Sequence, residues 1–459
     1  RDGLLTVTFN GEVFNFIELR KELEDCGHHF HTRSDTEVVL RAYQHYGEQC
    51  VERFNGQWAL GIWDRSRGRL FLSRDRMGVR PLYYTQVGRA FLFASEVKAL
   101  LAHPEVSCEL DPKGLNQVLT FWCPLAPTTV FRGIRELPPG HNLVLEGGRT
   151  STTRYWSLNY SDEAESLGID GCAERLLELL SDAARLRLRS DVPVGAYLSG
   201  GLDSSIITAL IRSHTPRLQT FSVMFEEAEF DESRYQRQMV DWLGTDHTSV
   251  YCDSATIARV FPNVVLHAER PLLRSAPAPM YLLSQLVRAS RLKVVLTGEG
   301  ADEVLGGYDL FKEDKVRRFC VADPDSAARA ALFGKLYPYM SNLQAQTPEW
   351  LRSFFGVRPE DLGRRFFAHM PRWTLTSQLK RLLSLEWAAL VDRCDAEANL
   401  AAVLPPQYDA WRPFCRAQYV ETALLMPGYI LSSQGDRMAM AHGVEGRFPF
   451  LDHRVVEFA

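Results

Sequence analysis

Short runs of alternating apolar and polar residues dominate the first third of the chain. LLTVTFN (4–10), WALGIWD (58–64), GRLFLSRD (68–75), PLYYTQ (81–86), AFLFASE (90–96) and HNLVLEG (141–147) read as strands, several of them separated by Gly or charged turns. A helical period interrupts them at 15–26 and 36–46, which makes the stretch up to residue 156 an α+β layered domain. Residues 157–168, SLNYSDEAESLG, are polar and acidic and suit a linker. From 169 onward helical patterns alternate with apolar strands near 195–198, 218–224 and 293–297. This is the signature of a parallel sheet with covering helices and a site at the carboxyl ends of its strands. The segment 312–431 is mostly helical by pattern, and the second domain is expected to run over 169–459.

Two of the expected strands end in glycine-rich loops. SGGLDS at 199–204 leads into a helix whose buried face is supplied by Ile206, Ile207, Ala209, Leu210 and Ile211. Gly200 and Gly201 let the backbone turn close to an anion, and the amides at the helix start would hold phosphates. Ser199, Ser204 and Ser205 add hydroxyls, and Asp203 offers a carboxylate to Mg²⁺. No GxxxxGK[ST] occurs, which disfavours a P-loop kinase or GTPase. GEGADEVLGGY, starting at Gly298, repeats the logic with acids: bends at Gly298 and Gly300 would aim Glu299 and Asp302 into one crevice. Asp203 and Asp302 then bridge one Mg²⁺, and Glu299 is free for proton transfer or for orienting an amine. Taken singly, each loop also reads as an ordinary glycine turn or an acid-rich helix start. Together, at the ends of two strands of one sheet, they point to a nucleotide pyrophosphate site.

Composition narrows the partners. At 459 residues the chain can hold two or three domains, and its 46% hydrophobic and 24% charged content is that of a soluble globular protein. A net charge of −5 suggests neither a nucleic-acid nor a membrane binder. Nine scattered cysteines without a CxxC pair favour reduced thiols in a cytoplasm. There is no apolar run long enough to span a bilayer and no signal peptide. GHHFH (27–31) is expected to be a loop with solvated or hydrogen-bonded histidines rather than a metal site. RLRLRS (185–190) is expected to be a helix end covering the sheet rather than an RNA contact. Arg1 leading straight into a strand, and the apolar ending 455–459, suggest a fragment of a longer protein.

The combination of SGGxDS and GEGxDE with FNGEVFNF (9–16), RSDTEV (33–38), RDRMGVRPLYY (74–84) and FASEVKAL (93–100) resembles the class II glutamine-hydrolysing asparagine synthetases over nearly the whole chain. The resemblance implies an Ntn-hydrolase-type glutaminase domain (1–156), truncated at its amino terminus, and a PP-loop ATP pyrophosphatase domain lacking its carboxy-terminal end. It makes Asn10 and the Gly11 amide an oxyanion hole, although from the residues alone Asn10-Gly11 reads as a hairpin turn. It gives Glu12 and Asp35 the α-amino group of glutamine. It assigns ATP contacts to Leu198, Val223, Thr297 and Gly298 beside the loop Ser199, Gly200, Gly201, Asp203 and Ser204, and makes Glu299 important for forming an acyl-adenylate.

Implied substrates are glutamine, Mg²⁺-ATP and aspartate or another carboxylate; a homodimer is possible. The family's amino-terminal cysteine nucleophile, glutamine-binding arginine segment and carboxy-terminal lysine segment have no match here. As given, the chain is expected not to hydrolyse glutamine and to be impaired in synthesis. Cys26, the first cysteine, matches no catalytic position. Asp436, Arg437, Glu445 and Arg447 in DRMAMAHGVEGRFPFLDH (436–453) would organise loops or the domain interface, and Arg274 is either a substrate-carboxylate anchor or a surface arginine. The contrasting class is a nucleotide-binding regulator with a dead glutaminase half. An RNA-modifying enzyme would need a cysteine relay or a basic surface, and neither is evident.

Overall fold

The computed structural model describes residues 4–160, 167–227, 229, 231–356 and 358–459. Residues 161–166 of the expected linker, and Arg1, lie outside the described residues.

In the first part, β1 (Leu5–Val13), β2 (Gly56–Asp64), β3 (Arg69–Arg74), β4 (Tyr83–Val87), β5 (Ala90–Ala94), β6 (Arg135–Glu136), β7 (His141–Glu146) and β8 (Arg149–Arg154) form two antiparallel sheets, ordered β1-β2-β3-β7-β8 and β5-β4-β6. Helices Phe16–Asp25 and Asp35–Tyr46 turn Leu19, Leu23, Val38 and Val39 toward Val13, Trp58, Ile62 and Phe71 of the larger sheet. β8, RTSTTR, is an exposed edge strand with no apolar face, so no hydrophobic alternation announced it. Asn10-Gly11 corrects the hairpin reading: both residues sit inside β1, opposite Ala59 and Trp58. Gly11 has φ +145, and a Cβ there would lie 2.0 Å from the Gln57 carbonyl oxygen. The glycine is required by close strand approach, not by a turn.

In the second part, β9 (Val194–Tyr197), β10 (Gln219–Phe225), β11 (Asp246–Cys252), β12 (Val294–Leu296) and β13 (Glu445–Arg447) make an all-parallel sheet, ordered β11-β10-β9-β12-β13. β9 and β12 are neighbours, so the two glycine-rich loops leave the same edge side by side. The helices Gly168–Arg187 and Leu202–Arg212 cover one face through Leu180, Ala183, Ile207 and Ile211, and Pro277–Ala289 covers the other through Leu283 and Val287. The carboxy-terminal part is helical, ending in a long run whose segment Glu421–Asp436 is π-helical, the wide-turn geometry that recurs at functional sites.

Buried charge joins the two parts. Arg187 donates to Asp452 at 3.0 Å, and Asn55 of the first part donates to the same carboxylate at 2.8 Å. Arg80 pairs with Asp436 and lies 3.7 Å from Glu445, while Gln57 donates to the Gly446 carbonyl at 2.8 Å. RLRLRS therefore serves packing: Arg187 is buried in this seam and Arg189 donates to Glu18 at 2.5 Å.

Candidate functional site

The two loops touch. A Cβ on Gly298 would fall 2.7 Å from the Ser204 nitrogen and 2.8 Å from the Asp203 carbonyl carbon, both backbone atoms that cannot swing away. Ser199, Gly201 and Ser204 close on one another: the Ser199 and Gly201 amides donate to the Ser204 and Ser199 hydroxyls, each at 3.2 Å, ahead of the helix Leu202–Arg212. Gly200, at φ +86, adopts the left-handed backbone that keeps this loop compact. Leu198 is buried and its amide donates to the Phe221 carbonyl at 2.9 Å; the Val223 carbonyl is held by Gln236 Nε2 at 3.0 Å. The Thr297 amide donates to Arg447 of β13 at 3.0 Å, and its hydroxyl donates to Glu299 Oε2 at 3.2 Å.

Five acids meet behind these loops. Burial pushes Asp203 up, and burial together with the nearby Asp203 charge pushes Asp302 up to about 6. Burial raises Glu299 and Glu303 each to about 7. Glu421 goes the other way: burial opposes its charge, but Arg372 and His369 outweigh that and hold it down at about 2. A carboxylate whose proton affinity is raised by burial and by a neighbouring carboxylate suits a bound cation. Among the described residues no group of three or more His, Cys, Asp or Glu side chains is gathered for a metal, so Asp203 and Asp302 would need phosphate oxygens to complete a shell.

A cavity of about 660 Å³ opens from Glu299 and Asp302 toward Glu303, Tyr308, Arg372, Glu421 and Tyr429. Arg274 lies on its rim, stacked over Trp122 at 4.9 Å, with no ion-pair partner among the described residues. Trp122, Arg372 and Glu421 were not anticipated. Trp122 belongs to the first part of the chain and the other two to the helical part, so only the fold brings them together. Glu303 carried a signal, since it is the last acid of GEGADE.

At the other corner, the FNGE and FASE motifs converge: Asn10 Nδ2 donates to Ser95 Oγ at 3.2 Å, and the Val13 amide donates to Asp35 at 3.1 Å. Glu12 is half-buried and 3.4 Å from Arg447; burial and the Glu445 charge lift its carboxyl to about 7 against that arginine. His28 of the exposed GHHFH loop shares a hydrogen bond at 3.0 Å with His45 in the last turn of helix Asp35–Tyr46.

The asparagine synthase family pattern matches residues 175–459, and a glutamine amidotransferase domain pattern matches 1–156. The chain belongs to the asparagine synthase family. It is therefore an enzyme of ligase type, an asparagine synthetase-like, ATP-dependent glutamine amidotransferase, with a glutamine amidotransferase domain ahead of a parallel-sheet synthase domain. It is 31% identical over 474 residues to asparagine synthetase [glutamine-hydrolyzing] 3 of Bacillus subtilis, covering 99% of this chain and 69% of that protein. Asparagine synthetase [glutamine-hydrolyzing] 1 of the same organism is 30% identical over 462 residues, 100% of this chain and 70% of that protein. Amidase chyE of Penicillium rubens is equally similar, 31% over 493 residues, 100% of this chain and 70% of that protein. No helix among the described residues is long and apolar enough to cross a membrane.

The contact between the loops of this synthase-family enzyme gives a direct test. Gly298→Ala should push them apart and weaken ATP binding by roughly ten-fold or more, as overpacking does elsewhere, with little change in far-UV circular dichroism. Calorimetric titration with ATP checks it, and an unchanged affinity would mean the contact is dispensable.

Proposed function

We propose that the enzyme joins ammonia to a carboxylate through an acyl-adenylate, with aspartate, activated at its β-carboxylate as β-aspartyl-AMP, as the acceptor that the names of its relatives suggest. In the first half-reaction a carboxylate oxygen attacks the α-phosphorus of ATP, and the bond to the leaving pyrophosphate breaks. In the second, ammonia attacks the acyl carbon, the acyl–oxygen bond breaks and AMP leaves; the nitrogen loses a proton to give the neutral amide. The observation that carries this reading is the direct contact of the SGGLDS and GEGADE loops at the ends of adjacent strands, with the acid-lined cavity opening from the second.

In that reading Leu198, Val223, Thr297 and Gly298 flank the nucleotide, and Ser199, Gly200, Gly201 and Ser204 present amides and hydroxyls to the pyrophosphate. Asp203 and Asp302 would hold Mg²⁺, which when bound offsets the charge gathering on the leaving pyrophosphate. Glu299, half-buried and hydrogen-bonded through Thr297, positions the acceptor or takes the proton the incoming nitrogen sheds. Asn10 and the Gly11 amide would stabilise the tetrahedral oxyanion of glutamine hydrolysis, while Glu12 and Asp35 face the glutamine ammonium. We place the domain boundaries at 1–156 and 169–459, with 157–168 between.

The test is pyrophosphate release by the full-length enzyme with ATP, Mg²⁺, ammonium and aspartate. Asp203→Asn and Asp302→Asn should each lower it by about 10²-fold or more, on the scale of removing one electrostatic stabiliser; unchanged turnover in either would remove the Mg²⁺ assignment. A second reading, the same chemistry on a larger carboxylate, is favoured by one observation, the size of the cavity beyond Glu299.

A further inference from the structure

Of the residues assigned to flank the nucleotide or bind its pyrophosphate, only Gly298 lines the volume beyond Glu299. None of the residues from Leu198 to Ser204, nor Val223, lines it; its nucleotide-side wall is the GEGADE loop alone. Its volume of about 660 Å³ falls in the middle of the range, roughly 300–1,000 Å³, of sites that enclose drug-sized ligands. Most of its far wall is aromatic or aliphatic: Tyr308, Tyr337, Tyr339, Phe354, Leu375 and Tyr429. Aspartate is small and has no apolar body to set against such a wall.

Trp122 gives the wall a built edge. It sits at φ +73, a left-handed backbone that a bulky residue rarely adopts. Its ring is fixed by an Nε1 hydrogen bond to Thr376 at 2.9 Å, an edge contact with Tyr429 at 5.7 Å, and the guanidinium groups of Arg274 and Arg372 at 4.9 and 5.4 Å. A strained aromatic residue held from every side beside a cavity fits a role in shaping what enters it. Glu303 and Asp309 also line the cavity and suit an ammonium group.

We infer that the acceptor site takes, in preference to aspartate, an amine-bearing carboxylic acid with an aromatic or apolar body, such as an aromatic amino acid or the carboxyl end of a short peptide. Its carboxylate meets ATP at the Glu299 loop, its ammonium lies against the acids, and its body fills the space bounded by Trp122, Tyr308 and Leu375. The inference rests on the adenylation reading above and changes only the acceptor.

The experiment compares aspartate, phenylalanine and glycyl-phenylalanine as acceptors for the full-length enzyme, with ATP, Mg²⁺ and ammonium, reading pyrophosphate release. Phenylalanine or the dipeptide should exceed aspartate by roughly ten-fold or more in kcat/KM, the discrimination that a matched apolar pocket gives. Leu375→Asp, at a side chain already 48% exposed and so safe for folding, should raise KM for the aromatic acceptor about ten-fold and leave kcat and ATP affinity unchanged. Aspartate equal to or better than both aromatic acids, or an indifferent Leu375→Asp, would overturn the inference and leave adenylation standing. ATP binding without pyrophosphate release on any acid would overturn the adenylation reading with it.

Discussion

Glu299→Gln is expected to cut ATP-dependent pyrophosphate release by roughly 10²–10⁴-fold, the range of a lost general acid or base, while ATP binding stays near that of the parent enzyme. The side chain lies three residues past β12, is half-buried at the cavity mouth, and accepts one hydrogen bond, from Thr297 at 3.2 Å. Its Oε2 lies 4.0 Å from where a Cβ on Gly435 would sit, so the π-helical segment closes over it without touching it. Burial alone lifts its carboxyl to about 7, where a proton can be taken or given at little cost, and the same enclosure raises the nearby Tyr197. Glutamine keeps the shape and removes the charge and the proton. If the carboxylate is the working form, the parent enzyme loses rate as pH falls below about 7, and Glu299→Gln loses that limb of the profile. Pyrophosphate release that is unchanged in Glu299→Gln at pH 7 would take this residue out of the chemistry.

The sequence made the nucleotide corner legible because its determinants are local. Strand, glycine-rich turn and helix follow one another within a dozen residues on each side of the site, and the chain itself states which strands must be adjacent for two such loops to matter. The acceptor side is different. Trp122, Arg274, Glu299, Arg372 and Glu421 share one cavity but are spread over 300 residues of chain, and nothing in the periodicity of any one segment brings them together. Helix Pro112–Phe121 shows the same limit: from Gly114 to Phe121 every residue is buried, the polar Asn116, Gln117 and Thr120 included, because it is wedged against helices Met370–Ser377 and Leu385–Asp392, so its polar positions do not mark a solvent face. β11 and β13 were missed for another reason. DHTSVYC alternates only weakly, and a three-residue strand is too short to carry a period at all. β13 nonetheless bears much of the interface, since Glu445 and Arg447 on it reach Arg80 and Glu12 of the first domain. Their role in the domain interface was among the expectations for 436–453; the identity of their partners was not, since pairing between such distant stretches of chain depends on how the two sheets are set against each other.

One carboxylate anchors the second domain's side of that seam, and Asp452→Asn should lower stability by about 3–5 kcal/mol, the usual loss when one member of a buried ion pair is removed. Asp452 accepts from Arg187 at 3.0 Å, from Asn55 at 2.8 Å and from Arg454 at 2.9 Å, and it caps the helix His453–Phe458 through the Arg454 amide at 3.1 Å. Asparagine can keep some of these contacts but leaves the buried Arg187 guanidinium without a counter-charge. The pH dependence separates this loss from simple misfit. Burial works against the Asp452 charge, yet Arg187 and Arg454 hold its carboxyl far below 3.8. A depressed carboxyl gives stability that is complete above its unfolded value and fades as pH falls toward the folded one. The gap between parent and Asp452→Asn should therefore be full at pH 7 and narrow below about pH 4. Glu299, Asp302 and Glu303 slope the other way: their raised carboxyls favour the folded state while protonated, and that contribution is lost as pH rises from about 4 toward 7 in both proteins alike. Urea denaturation of the two full-length proteins across pH 3.5–7 isolates the difference. A gap of the same size at every pH would mean that Asp452 acts through packing and its cap rather than through its charge.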